Sequence, residues 1–376
     1  MKTNLWFCAV LLALLASPLG AQPTAPLDAK TIVIDGSSTV APIVQAAAAL
    51  FTSTNPAVRI AVGISGTSGG FRRFLAQETD ISNASRPIRS AEINTARERG
   101  LEYIELLIGF DGIVVGVSRN TAIFKPGVPP VLTLGELELL WSRESAGFIT
   151  RWSQLGSRFT DAPIVLSGAA STSGTFDLFT EAVNGKVGET RTDYFGTEED
   201  QLLAELTGAD PFALTYFGFA YLEHNRDRVQ AVAVDPRRVL LDAPAEVLAE
   251  INRRRAAAGK QPLTNVGGRA TGVFPTVDTI STFTYQPLSR PLFVYVNLQS
   301  ARRPAVATFV DFLLQKEVVG SEEFMLDVGY VPAYPELLKA ARQIWAKRRS
   351  GTAFAGQITG LGPAELLAKY LAHAGQ

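Results

Sequence analysis

The sequence is poor in the side chains that most metal and redox sites use. Its only cysteine among 376 residues is Cys8, and its only histidines are His224 and His373. A zinc or copper site built from cysteine and histidine therefore has almost no ligands to draw on, and we expect no cofactor. Lys and Arg (35) nearly balance Asp and Glu (36), so the chain lacks the basic excess that indicates a nucleic-acid partner.

Long apolar runs are also scarce, with one exception at the N-terminus. Lys2 precedes the apolar run 5–16, and the following segment ends on the small residues Gly20 and Ala21, which is the pattern of a secretory signal peptide. We expect residues 1–21 to be this signal, so that the mature chain is exported and contains no cysteine. No other stretch approaches the roughly 20 apolar residues that span a bilayer.

From Thr31 onward, short apolar segments alternate with segments of helical composition. Residues 31–35 and 58–64 are strand-like, 43–53 are helix-like, 101–109 and 111–119 read as two further strands, and 305–329 read as helical. A repeated order of strand, loop and helix predicts an α/β fold with a mostly parallel sheet covered by helices.

Three of the predicted strand ends run into clusters of serine, threonine and glycine that open a helix. The clusters are Gly36-Ser37-Ser38-Thr39, Gly66-Thr67-Ser68-Gly69 and Ser173-Gly174-Thr175. Backbone N–H groups in the first turn of a helix lack partners, and the helix dipole is positive there, so such a turn suits an anion. A fourth strand-end loop carries Arg86, whose guanidinium fork fits an oxyanion.

Other interpretations of these residues stay open at this point. A serine or threonine before a helix is most often an N-cap, an isolated arginine is most often a surface residue, and Asp35 and Asp111 are turn residues or acceptors for a protonated anion. The letters Gly66-Thr67-Ser68-Gly69-Gly70 also match the G-x-S-x-G nucleophile elbow of hydrolases. A hydrolase needs a histidine base, and neither histidine lies in an attractive sequence context.

The chain resembles the periplasmic phosphate-binding proteins of ABC uptake systems, in the type II periplasmic-binding superfamily. The resemblance covers about Ile32 to Pro335 and rests on motifs that occur in family order. They are GSSTVAP, GTSGGFRRFLAQETDISNASRPI, FDGIVVGVS, STSGTFDLF, LTYFGFAYLE, QPLSRPLFVYVN and VGYVPAYPE.

This resemblance implies a two-lobed α/β fold that holds an anion in the cleft between the lobes. One lobe would contain residues 30–115 and 293–345, the other residues 116–292, with residues 346–376 as a C-terminal tail. The crossover strands would lie near 111–118 and 289–297. The implied phosphate-binding residues are Ser38, Thr39, Val40, Thr67, Ser68, Gly69, Arg86, Ser173, Gly174 and Thr175.

The resemblance further implies a monomeric, non-enzymatic periplasmic receptor that delivers phosphate, or a similar tetrahedral oxyanion, to an ABC permease. The alternatives are a phosphate sensor or binding protein of the same fold that serves no permease, and a secreted serine hydrolase using Ser68. One departure is at Ala169, where many family members have an arginine. The basic segment 246–272 is a second irregularity.

Overall fold

The computed structural model describes residues 30–355 and 361–375. The predicted signal peptide, residues 1–21, lies outside the described residues. Eleven strands are found in the described ranges: β1 (Thr31–Gly36), β2 (Arg59–Val62), β3 (Ile81–Ala84), β4 (Tyr103–Ser118), β5 (Val131–Thr133), β6 (Val165–Ala169), β7 (Phe195–Thr197), β8 (Ala213–Gly218), β9 (Val229–Ala231), β10 (Ala233–Asp235) and β11 (Ser289–Asn297).

Helices surround these strands and follow most of them in the chain. The α-helices within the described ranges are α1 (Ala41–Thr54), α2 (Gly66–Leu75), α3 (Ser90–Glu98), α4 (Leu134–Trp141), α5 (Gly174–Asn184), α6 (Asp200–Ala209), α7 (Phe219–His224), α8 (Ala245–Ala257), α9 (Val277–Ser281), α10 (Pro304–Leu313), α11 (Glu322–Asp327), α12 (Pro335–Ala346) and α13 (Pro363–Ala374). The segment 305–329, which was expected to be helical throughout, is divided between α10 and α11 by a non-helical stretch.

Eight strands follow one another across the main sheet in the order β2-β1-β3-β11-β4-β8-β6-β7, and β9 also pairs with β4. The strands β2, β1 and β3 are parallel to one another, as are β8, β6 and β7. Strands β5 and β10 form a separate parallel pair. Because parallel strands end at the same edge, the loops after β1, β2 and β3 leave the sheet side by side, and ligands bind at such edges in α/β folds. The predicted α/β class is confirmed.

Strand β4 corrects the prediction of two strands over 101–119. It is a single strand of 16 buried residues, and its first part pairs with β11 while its second part pairs with β8. Gly109 and Gly112 do not mark a break in the strand but positions where neighbouring side chains pack closely. A Cβ on Gly109 would lie 2.5 Å from the Met325 side chain, and one on Gly112 would lie 2.5 Å from Ile280.

The strands β4 and β11 therefore lie side by side between the two parallel sets of strands. This arrangement fits the predicted crossovers at 111–118 and 289–297. The lobe boundaries at 115/116 and 292/293 remain a prediction. In the described ranges, helices are too short or too polar to cross a membrane.

The described residues of the predicted C-terminal tail, 346–355 and 361–375, pack against the rest of the protein. Helix α13 packs on α12, and its Tyr370 is fully buried. The backbone N–H of Gly351 donates to the Tyr103 carbonyl at 2.8 Å, which extends the sheet next to β4.

The basic segment 246–272 is tied to the body of the protein by ion pairs. Arg255 is only 5% exposed and pairs with Glu138, while Lys260 pairs with Glu144 and Glu189. These acidic partners come from other elements and are distant in the sequence, so the composition of the segment alone does not predict the ion pairs.

Candidate functional site

The first hydroxyl-rich turn, Gly36–Val40, connects β1 to α1. Val40 is the N-cap residue of α1, and no side chain within the described part of the protein caps this helix. Ser38 is exposed and Thr39 is 8% exposed. Gly36 adopts a φ of +139°, and a Cβ on it would lie 2.2 Å from the Asn83 carbonyl oxygen. Only glycine therefore lets the end of β1 pack this closely on β3.

The second turn, Ser65–Gly69, opens α2, and it is also uncapped by any side chain in the described ranges. Asp35 holds this turn beside the first one. Its Oδ1 accepts hydrogen bonds from the N–H groups of Gly36 (2.7 Å) and Ser65 (3.0 Å), and its Oδ2 pairs with Arg73. Burial tends to raise the pKa of Asp35, but the Arg73 hydrogen bond and the two N–H donors outweigh it, so the pKa is lowered. Asp35 is thus an ionised anchor of the turns.

Arg86 lies beside the second turn, as the motif order suggested. Its Nη2 donates to Ser68 Oγ at 3.1 Å, and its two Nη atoms donate to the carboxylate of Glu92 at 2.8 and 2.9 Å. Thr67 Oγ1 and Ser85 Oγ are 3.1 Å apart. The Arg86 charge is therefore already compensated by one carboxylate, while its guanidinium remains in contact with the turn.

The third turn, Ser171–Thr175, follows β6 and opens α5. Here the hydroxyl does cap the helix, because Ser173 Oγ accepts from the Thr175 N–H at 3.1 Å. Gly174 faces the first turn, and a Cβ on it would lie 2.5 Å from Thr39 Oγ1 and 3.7 Å from Ser38 Oγ. The structure thus brings the first and third turns into direct contact, although 134 positions separate Thr39 (turn one) from Ser173 (turn three) in the numbering.

Arg290 lies where these two turns meet, and sequence reasoning missed it. Its Nη2 donates to Thr39 Oγ1 at 3.0 Å, to the Gly174 carbonyl at 3.1 Å and to Asp111 Oδ2 at 3.0 Å, and its Nε donates to Asp111 at 3.2 Å. Its side chain is 13% exposed. In the described ranges all of its side-chain hydrogen bonds come from Nε and Nη2, and Nη1 makes none.

The position of Arg290 bears directly on the arginine that is missing at 169. Ala169 is buried, and its carbonyl accepts hydrogen bonds from the hydroxyls of Tyr194 (3.1 Å) and Tyr216 (3.2 Å). Position 169 therefore has no charged side chain, and the arginine that contacts the third turn is Arg290 on β11. Arg290 is part of the motif QPLSRPLFVYVN, which was interpreted only as a crossover strand. The residues that Arg290 contacts, Thr39 and Gly174, are distant from it in the sequence.

Asp200, at the start of α6, accepts a hydrogen bond from the Gly218 N–H at 3.0 Å. Burial, assisted by the charges of Asp111 and Glu198, raises its pKa to about 6, although the Gly218 hydrogen bond lowers it. In the described ranges no three Asp, Glu, His or Cys side chains are grouped as a metal site requires.

Ser68 does not have the surroundings of a nucleophile. Its hydroxyl accepts from the Arg86 guanidinium, which cannot act as a base because arginine stays protonated in proteins. His373 is in the packed helix α13 and His224 ends α7.

Comparisons with known proteins agree with the motif order. Residues 21–317 match a family described as the PBP superfamily domain. The chain is 35% identical to protein SphX of Synechococcus elongatus over 359 residues, 95% of this chain and 94% of that protein. It is 28% identical to the phosphate-binding protein PstS of Staphylococcus epidermidis, over 81% of this chain and 80% of that protein.

Solved structures show the same architecture. A possible phosphate-binding protein from Planctomyces limnophilus is 34% identical, with a TM-score of 0.67 over 84% of this chain and 98% of that one. A phosphate transport receptor from Vibrio cholerae, at 19% identity and a TM-score of 0.58 over 80% of this chain and 99% of that one, supports the fold alone. These matches confirm the predicted resemblance and argue against the hydrolase alternative. The chain belongs to the PBP superfamily, among its PstS-like binding proteins, and is not an enzyme.

Proposed function

We propose that this chain is an exported solute-binding protein that captures inorganic phosphate, or a similar tetrahedral oxyanion, between its three hydroxyl-rich turns. The observation that carries the proposal is the convergence of the first and third turns on Arg290. In the described ranges the N-termini of α1 and α2 have no side-chain caps, so their first N–H groups can serve as donors, and such termini favour anions. The relatives from Staphylococcus epidermidis and Planctomyces limnophilus are named as a phosphate-binding protein and a possible one, which supports phosphate as the ligand.

In the proposed complex, donors from both parallel sets of strands surround the anion. The side chains of Ser38 and Thr39 and the Val40 N–H would bind it from the first turn, and Thr67, Ser68 and the Gly69 N–H from the second. The third turn would contribute Ser173, Thr175 and the Gly174 N–H. Arg86 and Arg290 would supply positive charge.

Arg290 takes the electrostatic role that an arginine at position 169 would have had. A charge-assisted hydrogen bond contributes about 1.5–3 kcal/mol, so an uncompensated loss at Ala169 would be costly. Arg290 is on β11 and contacts turns that belong to different predicted lobes. The closure of the two lobes and the stabilisation of the anion's negative charge by Arg290 would therefore occur together.

The site is proposed to serve transport. The resemblance to the receptors of ABC uptake systems implies that the protein works in the periplasm as a monomer, and that its closed form docks on the membrane subunits of a permease. A phosphate sensor of the same fold would bind the anion equally well, so the co-purification of permease subunits with the phosphate-loaded protein separates the two.

Isothermal titration of the mature protein with phosphate, sulfate, arsenate, molybdate and a phosphate ester tests the ligand. We expect saturable binding of phosphate, and we expect Arg290→Met to weaken it by about ten- to a hundred-fold, the equivalent of one charge-assisted hydrogen bond. The control is Arg253→Met, at a side chain that is 72% exposed. Absence of binding by every oxyanion at millimolar concentration, or wild-type affinity in Arg290→Met, would contradict the proposal.

A further inference from the structure

A fully buried carboxylate lies in the first part of β4, away from the three turns. Glu105 has no exposed surface, and burial raises its pKa. Its oxygens accept hydrogen bonds from Tyr295 Oη (2.7 Å), Thr352 Oγ1 (2.5 Å) and the Ala353 N–H (2.8 Å). A buried carboxylate needs such donors because water cannot solvate it. Two of the three come from the C-terminal segment.

Tyr295 connects this carboxylate to the loop that carries Arg86. It is on β11, directly opposite Glu105 in the strand register. While its hydroxyl donates to Glu105, it accepts from the Ile88 N–H at 2.9 Å. The buried Tyr295 hydroxyl therefore anchors the loop 85–89, between β3 and α3, at Ile88. Ile88 is two residues after Arg86.

The Tyr295 ring also supports the second turn. It packs edge-on against Phe71 of α2, with ring centroids 4.9 Å apart. The guanidinium of Arg86 lies over the same Phe71 ring, 5.2 Å from its centroid. One side chain thus contacts the helix that opens with Thr67 and Ser68 and also holds the loop that brings Arg86 to Ser68.

The C-terminal segment 351–354 completes the burial of Glu105. Gly351 bridges to Ile104 of β4, and the Phe354 ring packs against Phe293 and stacks on Tyr370, with centroids 5.8 Å apart in both cases. This segment lies beyond the residues 21–317 that match the family. It therefore supplies two of the donors that Glu105 requires, and Glu105 itself lies within the matched range.

We propose that Tyr295, Glu105 and the segment 351–354 are positioning residues of the anion site. They fix the position of the loop that carries Arg86 relative to helix α2. The inference rests on the proposed function, because it assigns to these residues a share of the phosphate affinity. None of them touches the anion. Their effect passes through the Ile88 N–H and the Phe71 ring to Arg86 and Ser68, as supporting hydrogen bonds do in other preorganised sites.

The test uses the full mature chain with Tyr295→Phe, Thr352→Val and a matched control, Tyr370→Phe. Tyr370 is equally buried, and its hydroxyl accepts from the Leu107 N–H at 2.7 Å, but it is not bonded to Glu105. The readouts are the phosphate Kd by titration calorimetry and amide hydrogen exchange in residues 85–89. We expect Tyr295→Phe to weaken phosphate binding by about three- to ten-fold, the scale of one lost buried hydrogen bond, and to speed exchange in the loop.

Thr352→Val should act in the same direction to a smaller extent, and it decides the matter if Tyr295→Phe does not fold. Tyr370→Phe should leave both readouts at wild-type values even where it lowers the melting temperature. In an Arg86→Ala background, Tyr295→Phe should change the Kd no further, because the loop then carries no charge to position.

Wild-type Kd and loop exchange in a folded Tyr295→Phe, or equal losses in Tyr370→Phe, would overturn the positioning role. Failure of the proposed function gives a different pattern, since wild type itself would then not bind phosphate. In that case the exchange data still report whether Tyr295 holds the loop.

Discussion

At the scale of single residues, the two arginines at the site differ in what remains available for an anion. Both Nη atoms of Arg86 already bind Glu92, whereas Arg290 shares one oxygen of Asp111 through Nε and Nη2. The sequence predicted the arginine that follows a strand within a recognisable motif. It did not predict Arg290, because a residue on a crossover strand approaches the turns only after the chain has returned from the second set of strands.

Asp200 makes the stability of the protein depend on pH in a specific direction. Its pKa rises from 3.8 to about 6 on folding, so between these values the folded protein binds more protons than the unfolded chain. The contribution of Asp200 to the free energy of unfolding therefore decreases as the pH rises from about 4 to about 6, and it is constant above that.

Asp200→Asn should remove this dependence while keeping an oxygen acceptor for the Gly218 N–H. We expect the stability of wild type relative to the variant to decrease between pH 4 and pH 6, as measured by urea unfolding across that range. Asp227→Asn, at a side chain that is 72% exposed, is the control. Parallel curves for wild type and Asp200→Asn would show that burial does not hold the proton on this carboxyl.

At the scale of elements, the N-termini of α1, α2 and α5 are not equivalent. In the described ranges α1 and α2 begin without a side-chain cap, whereas Ser173 caps α5. The sequence could not distinguish these cases, because a hydroxyl before a helix has the same letters whether it caps the helix or faces a ligand. Ser173 Oγ therefore caps α5 as an acceptor, and its phosphate-binding role stays a prediction, whereas the first turns of α1 and α2 have no side-chain cap in the same ranges.

Gly174 sets how closely the third turn approaches the first. An alanine Cβ at this position would lie 2.5 Å from Thr39 Oγ1, which is held by Arg290. We expect Gly174→Ala to weaken phosphate binding by at least about ten-fold through the displaced Thr39 and Arg290 contacts. The free energy of unfolding should change by less than about 1 kcal/mol, because alanine suits a helix better than glycine.

The matched control for this substitution is Gly362→Ala at the N-cap of α13, where a Cβ would meet no atom within 4 Å. Titration calorimetry of both variants measures the effect on phosphate binding, and urea unfolding measures the effect on stability. If Gly174→Ala binds phosphate as tightly as wild type, the contact between the two turns is not part of the binding geometry.

Strands and helices were predictable from the sequence where the residues of the element itself carry the pattern. The alternation at 58–64 and the apolar run at 31–35 predicted β2 and β1, since each strand is defined by its own residues. The continuity of β4 was not predictable, because Gly109 and Gly112 mark close packing against Met325 and Ile280 from distant segments. The burial of the C-terminal segment depends likewise on Glu105, far away in the sequence.

At the scale of the whole molecule, the charge that we assign to anion binding is located on the strands that connect the two parallel sets. Arg290 on β11 and Asp111 on β4 are partners in the strand register, and Arg290 reaches a turn from each set. Movement of one predicted lobe against the other would therefore change the surroundings of the same guanidinium that meets the anion. We propose that phosphate stabilises the arrangement in which Thr39 and Gly174 are in contact.

A crystal structure of the mature protein with arsenate tests this account most directly, because arsenic can be located by its anomalous scattering. We expect one tetrahedral anion between the three turns, within hydrogen-bond distance of Arg290 Nη1, the hydroxyls of Ser38 and Ser68 and the Gly174 N–H. An anion bound elsewhere, or one that lies between the turns without contacting Arg290, would contradict it.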